Sequence, residues 1–288
     1  MNKPNFPVLT AVLLVTLLPY SCTSFSSSSL MSWEDYARQP RSEPYILNMD
    51  SRDGSLVYYG AFHKVDPSHP QFQDIEQKWE NFKPTLAYCE GILWPLEKTR
   101  TNAIRNYGEQ GLITYLAARD GIQIECIDPT LTEQAIYLKK SFPPHLVKVY
   151  YVMRQAAIDR MLKRDFNAAK CADRYLRKFR QIEGYENLPN NFREYKKLVS
   201  ILFPGLDEWE KVPYFYFHHQ ESGDFLARIH KKLNSFRDQI MINKIVKALK
   251  RGQRIFAIVG RSHVVIQEAA LVSLSSPSPY SSIRNSKL

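Results

Sequence analysis

Cysteine is scarce in this chain and forms no pattern. Only four occur among 288 residues, and beyond Cys22 the remaining three, Cys89, Cys126 and Cys171, lack metal-type spacing. They read as small buried residues, with a disulfide between two of them left open for an oxidising compartment. Long apolar runs are missing too. The stretch Val8 to Leu18, about 11 residues, is too short to span a bilayer as a mature helix. Acidic residues are in deficit, 29 against 39 Lys and Arg, giving a formal charge of +10. The excess cations recur at helical spacing, as in Arg174 to Arg180, and are expected to be solvated helix faces rather than a patch for an anionic partner. Glycine and histidine are sparse as well, at 11 and 7 residues.

What is present begins with an export signal. Lys3, the apolar stretch and Leu18-Pro19-Tyr20-Ser21-Cys22 resemble a bacterial lipoprotein leader, with Cys22 as candidate lipid anchor. The alternative is that Cys22 leaves with the signal. Residues 1–22 are therefore set aside as signal peptide, and the Ser-rich stretch 23–44 as a flexible tether. The expected location is the bacterial cell envelope, exported, in the periplasm or on the membrane through the lipid. Nucleic acid is not an expected partner there. Residues 45–272 suffice for one α/β domain with a sizeable core, and the Ser/Pro-rich stretch 273–288 is expected to be a poorly ordered tail.

Within the domain, apolar runs ending in turn residues place strands at 55–59, 85–89, 123–127 and 255–259. Helices are expected at 72–79, 96–106 and 108–119, and alternation in this half argues for a mostly parallel sheet of βαβ units. From 131 to about 230 the chain reads as a helical insertion, with Val149, Tyr150, Met153, Ala157 and Met161 on one apolar stripe. A further helix over 235–250 is expected to bury Phe236, Ile240, Ile245 and Leu249. A last one covers 264–271.

Two turns rhyme. Gly60-Ala61-Phe62-His63 and Gly260-Arg261-Ser262-His263 are both Gly-x-x-His, and each closes a strand. Chance predicts about 0.3 such tetrapeptides at this composition, so the pair in one context exceeds noise. A glycine at a strand end lets the chain turn sharply. The imidazole three residues on then stands over the carboxyl edge of the sheet, where α/β proteins keep their ligands. Glu90 and Asp128 occupy the same slot on two other strands. Asp128 has an alternative role as a helix cap, whereas Glu90 precedes an apolar run with no capping signal. His63, His263 and Glu90 together make a set able to bind a divalent metal or to activate water. Arg237, on the helix before the last strand, is a candidate partner for substrate or Glu90. His69, His145, His218, His219 and His230 are expected to be structural.

These motifs, with Phe236-Arg237-Asp238-Gln239-Ile240-Met241, resemble a superfamily that joins TraB/PrgY pheromone-shutdown proteins, GumN-type proteins, TIKI Wnt-cleaving metalloproteases, erythromycin esterases and ChaN-type haem-binding lipoproteins. The resemblance spans about 55–270 in motif order. It implies an α/β fold of two related halves and a site of His63, Glu90, His263 and Arg237; Tyr59 and Asp128, at or beside the same strand ends, are taken separately as candidate substrate contacts. It implies hydrolysis of an amide or ester in a peptide or small molecule, aided by Mn, Co or Zn on His63, Glu90 and His263 in one branch and metal-free in another. The alternative it carries is a non-catalytic lipoprotein binding haem, with Tyr59 or a histidine as axial ligand. Arg261 and Ser262 stand where small residues are usual, and no glycine follows His263.

Overall fold

The computed structural model describes residues 30–39, 44–161, 167–187, 189–218 and 224–275. The signal 1–22 with Cys22, and residues 276–288 of the expected tail, lie outside them. At the centre is a five-stranded sheet in the order β1-β2-β5-β3-β4. It is built from β1 (Tyr45–Asp50), β2 (Ser55–Ala61), β3 (Leu86–Cys89), β4 (Gln123–Cys126) and β5 (Arg254–Gly260). Strands β2, β5, β3 and β4 run parallel, and β1 pairs antiparallel with β2 at the edge. The chain is thus α/β with a mostly parallel sheet, as the alternation of apolar runs and helical periods implied.

Strands β2, β3 and β5 were legible because buried parallel strands read as continuous apolar runs, whereas edge strand β4, with no buried residue, was legible from the alternation of Ile124 and Cys126 with polar residues before Asp128-Pro129. Strand β1 was not, since only Leu47 of its six residues is buried and no alternation shows. The turn at Ser51 and Gly54 joins it to β2, with Ser51 N–H donating to Gly54 O at 2.8 Å.

Helices α2 (Pro70–Phe82) and α3 (Arg100–Asp120) cover one face of the sheet. Phe72, Ile75, Trp79, Leu112 and Leu116 pack there against Val57, Tyr59, Phe256 and Ile258. The two helices expected at 96–106 and 108–119 form one element, broken at Gly108, whose φ of 60° and ψ of −139° are not helical. A Cβ at Gly108 would lie 2.6 Å from the Lys64 carbonyl, so only glycine lets the loop after β2 lie against this break.

Helices α4 (Leu131–Lys139), α5 (Pro144–Met161), α6 (Ala168–Phe179) and α7 (Phe192–Leu202), with short 3-10 turns at Trp209–Lys211 and Tyr214–His218, fill the helical middle. They build a core of their own from residues such as Tyr150, Leu176, Phe179, Tyr195 and Phe217. Helix α8 (Phe225–Leu249) starts ten residues earlier than its apolar pattern indicated, capped by Asp224, whose side chain accepts from Ala227 N–H at 2.9 Å. It belongs to both cores. Leu226, Ile229 and Leu233 pack into the helical core, whereas Met241, Ile242 and Ile245 pack under the sheet. Its buried face is also rotated from expectation. Phe236 and Ile240 are only half-buried, while Arg237 and Asp238 are buried. Phe236 stacks on Tyr137 instead, centroids 4.1 Å apart.

Helix α9 (Arg261–Ser275) follows β5 directly and extends into the stretch expected to be tail. The expected tether also holds structure, in helix α1 (Trp33–Ala37). Met31 N–H donates to Ile266 O at 3.1 Å and Tyr36 Oη accepts from Arg261 Nη1 at 3.2 Å, docking this segment on α9.

Gly60 is demanded by close approach, not by a left-handed backbone. A Cβ there would lie 2.8 Å from Tyr45 O and 2.9 Å from Arg261 Cα, both backbone atoms that cannot swing aside. Gly60→Ala is therefore expected to cost about 3 kcal/mol, the upper end for overpacking, and to lower Tm by roughly 6–12 °C. An unaltered melting curve would contradict this packing of β1, β2 and α9.

Candidate functional site

The carboxyl ends of the four parallel strands each deliver one side chain to a common place. His63 follows β2, Glu90 follows β3, Asp128 follows β4, and His263 lies in the first turn of α9 after β5. The strand order puts β5 between β2 and β3, so the two Gly-x-x-His turns are neighbours, with Ala61 opposite Gly260 in register. A Cβ on Gly260 would meet Glu90 Oε2 at 3.4 Å and His63 Nε2 at 3.5 Å, ordinary contacts. Neither motif glycine has positive φ; Gly91 does, at 85°, and turns the chain away after Glu90.

Glu90 is the hub. Its Oε1 accepts from Arg237 Nη2 at 2.7 Å, and its Oε2 from Gly260 N–H at 2.5 Å. Burial by itself would raise its pKa, but the charges of His263, Arg237 and His63 and the Gly260 N–H outweigh burial and hold it well below the usual carboxylate range. Arg237 also grips Asp128 with two bonds, Nε to Oδ1 at 2.7 Å and Nη2 to Oδ2 at 2.9 Å, and donates to Asn234 Oδ1 at 3.2 Å. Asp128 Oδ2 accepts from Gly91 N–H at 2.7 Å. Asp128 thus does not line the cavity and does not cap α4. It sits behind Arg237, and the cap of α4 is Thr130, in a capping box with Glu133.

Each histidine has a buried carboxylate behind it. His63 Nδ1 is 2.6 Å from Glu109 Oε1, and His263 Nδ1 is 2.6 Å from Asp238 Oδ1. Asp238 is held by Gln267 Nε2 at 2.6 Å, and Gln267 Oε1 accepts from Tyr58 Oη at 2.9 Å. Glu109 lies immediately after the break at Gly108, which aims it at His63. The two imidazoles differ in surroundings. His63's side chain is 46% exposed, whereas that of His263 is 5% exposed and meets the edge of Trp33. The Glu109 carboxylate raises the His63 pKa to about 9 against the opposing effect of burial. For His263, burial lowers the value and Arg237 opposes protonation, but Asp238 and Glu90 prevail and the net direction is up. His263 Nε2 stands 3.6 Å from Glu90 Oε1, beyond a hydrogen bond.

His63, Glu90, His263 and Arg237 line a cavity of about 1030 Å³ between the sheet edge and the helical middle, with α1 on one side. Tyr59 does not join them. Its ring is fully buried on the face of the sheet that α2 and α3 cover, and its hydroxyl donates to Asp74 Oδ2 at 2.8 Å, away from the cavity lining. Glu109 and Asp238 were not singled out from sequence. The signal for Asp238 was a carboxylate on the apolar face of α8, between Leu233 and Met241; Glu109 carried none. Among the structural histidines, His69 caps α2 by accepting from Gln71 N–H, and His230 bonds Tyr150 Oη at 2.7 Å. His219 lies outside the described residues. Cys89, Cys126 and Cys171 are free thiols.

Among the described residues, no three His, Cys, Asp or Glu side chains converge closely enough to hold a metal ion. The reason lies at Glu90. Both its oxygens are engaged, one by a guanidinium whose charge opposes a cation at the same atom. The donor set therefore does not fit a resident Mn, Co or Zn ion.

The shifts make stability depend on pH in a specific sense. Glu90 titrates below its ordinary value, so its contribution is present above pH 4.5 and is lost as pH falls. His63 titrates above its ordinary 6.5, so its contribution is full below 6.5 and is lost as pH rises through about 9. The difference in urea midpoint between wild type and His63→Ala should accordingly shrink from pH 5.5 to pH 9.5. A constant difference would contradict the His63–Glu109 pair.

No family model matches the chain, and no curated protein or solved structure shows significant similarity to it.

Proposed function

We propose that the chain is a metal-independent hydrolase of an ester or amide, working through His63, Glu90 and His263 at the carboxyl edge of the sheet. The observation that carries this reading is the pair of imidazoles, each with Nδ1 2.6 Å from a buried carboxylate and its Nε2 directed to the Glu90 cavity. A carboxylate on Nδ1–H sets the tautomer and orientation of the ring and supports its cation, leaving Nε2 to handle protons.

The environments divide the labour. Glu90, held anionic by Arg237 and Gly260 N–H, is a poor base; it orients water and supports the neighbouring cations. His63 remains an imidazolium at neutral pH and is the acid. His263, in its neutral form, is the base. Its Nε2 removes a proton from water as the oxygen attacks the carbonyl carbon. The tetrahedral oxyanion then collapses, the bond to the leaving oxygen or nitrogen breaks, and His63 Nε2–H protonates that atom. Water has added across the bond, and exchange with solvent returns a proton to His63 and removes one from His263.

His263→Ala and His63→Ala are each expected to lower kcat by about 10²–10⁴-fold on a panel of ester and amide substrates. kcat/KM should fall above about pH 9 as His63 loses its proton. Turnover retained in both folded variants would remove the reading. Exhaustive chelation should leave activity intact, and a loss restored by Mn, Co or Zn would overturn metal independence. An inactive wild type that gives a Soret band with haem, lost in His63→Ala, would favour the ligand-binding alternative instead.

A further inference from the structure

Helix α8 forms one wall of the cavity over nearly three turns, from Arg237 back to Ala227. Starting at Arg237 on Glu90, one helical turn back is Asn234, which accepts from Arg237 Nη1 and whose Nδ2 lies 2.9 Å from His230 Nε2. The next turn is His230, whose ring meets Tyr214 and Phe217 at 6.1 Å. The next is Ala227, also on the cavity wall. From 237 to 227 a helix advances about 15 Å. His230 and the ion pair Lys231–Glu34, 3.0 Å, in which α1 meets α8, stand midway along this wall. Beyond them the described lining is mostly apolar, through Ala157, Met161, Val212, Tyr214, Phe217 and Ala227, with Arg160 as a charged exception whose Nη1 donates to Glu210 O at 2.9 Å. Two of these are alanines buried to 3% exposure, so the room at this end exists because their side chains are small. Met161, 48% exposed, marks an outer rim.

We infer that the cavity takes an amphiphile, with the scissile ester or amide at Glu90 and an unbranched apolar chain laid along α8 toward Phe217. This rests on the hydrolase reading for its head group only. Three extended single bonds span about 3.3–3.6 Å, so a 15 Å track accommodates roughly a dozen bonds. The polar head meets the cations His63 and Arg237, while the tail meets the aromatic end, whose burial supplies the binding free energy. A short polar substrate would leave that end filled with water against hydrocarbon.

The test uses binding, not turnover, on the full chain: displacement of 1-anilinonaphthalene-8-sulfonate by straight-chain carboxylates of increasing length, from butyrate upward. Affinity should tighten about three- to fourfold per methylene and level off at about 12 carbons. In Ala227→Phe the plateau should come at a shorter chain while butyrate binds as in wild type. Ala157→Phe is the second probe, so misfolding of one variant does not decide the matter. Affinity independent of chain length, or profiles unchanged in both folded variants, would overturn the inference. The two proposals separate cleanly. Chain-length dependence without ester turnover retains the amphiphile site and removes the hydrolase; turnover indifferent to chain length does the reverse.

Discussion

The arrangement at the sheet edge depends on the buried guanidinium of Arg237. Taking one cation and two carboxylates out of water costs several kcal/mol per ion, and mutual attraction offsets that only when geometry and the remaining hydrogen bonds are all satisfied. Here they are. Asp128 receives two bonds from Arg237 and one from Gly91 N–H, and Glu90 receives one from Arg237 and one from Gly260 N–H. These contacts tie the ends of β3, β4 and β5 to α8. Truncating Arg237 would leave two enclosed carboxylates with one backbone N–H each and no cation between them, so the residue that shapes the site also holds the fold around it.

That residue lies where two hydrophobic cores meet. Helix α8 contributes one half to the helical core and the other to the core under the sheet, and Arg237 and Asp238 occupy the seam. A seam between separately packed units is where polar side chains can be enclosed without interrupting either core, and where a cavity persists. Each imidazole then answers to its own carboxylate, Glu109 for His63 and Asp238 for His263. The proton affinities of the two rings are therefore set from opposite sides of the sheet layer, by α3 and by α8.

Much of the fold was readable in advance. Three buried strands showed as apolar runs closed by Gly or acidic residues, edge strand β4 showed by alternation before Asp128-Pro129, and the helices between them showed through their periodicity. What escaped had local reasons. Strand β1 buries one residue of six and has no alternation to detect. The buried face of α8 carries Asn234, Arg237 and Asp238, so apolar periodicity pointed to Phe236 and Ile240 instead. Segment 33–37 is short, and its docking is decided by α9 rather than by its own pattern. In the site, His63, Glu90 and His263 were recognisable from strand-end position and spacing, and Arg237 from its place on the helix before the last strand. Tyr59 was misplaced because alternation along β2 turns it to the α2 and α3 face, where Asp74 awaits its hydroxyl.

By itself the sequence determined where strands end and which residues stand just past those ends, because apolar period and turn-forming residues are local properties of the chain. The order in which strands lie side by side, which makes neighbours of His63 and His263, was decided by the tertiary structure. So was the choice of Glu109 and Asp238 as partners for the two rings. Burial of charge depends on distances and shielding between segments far apart in sequence, and those exist only once α3, α8 and the sheet have packed together.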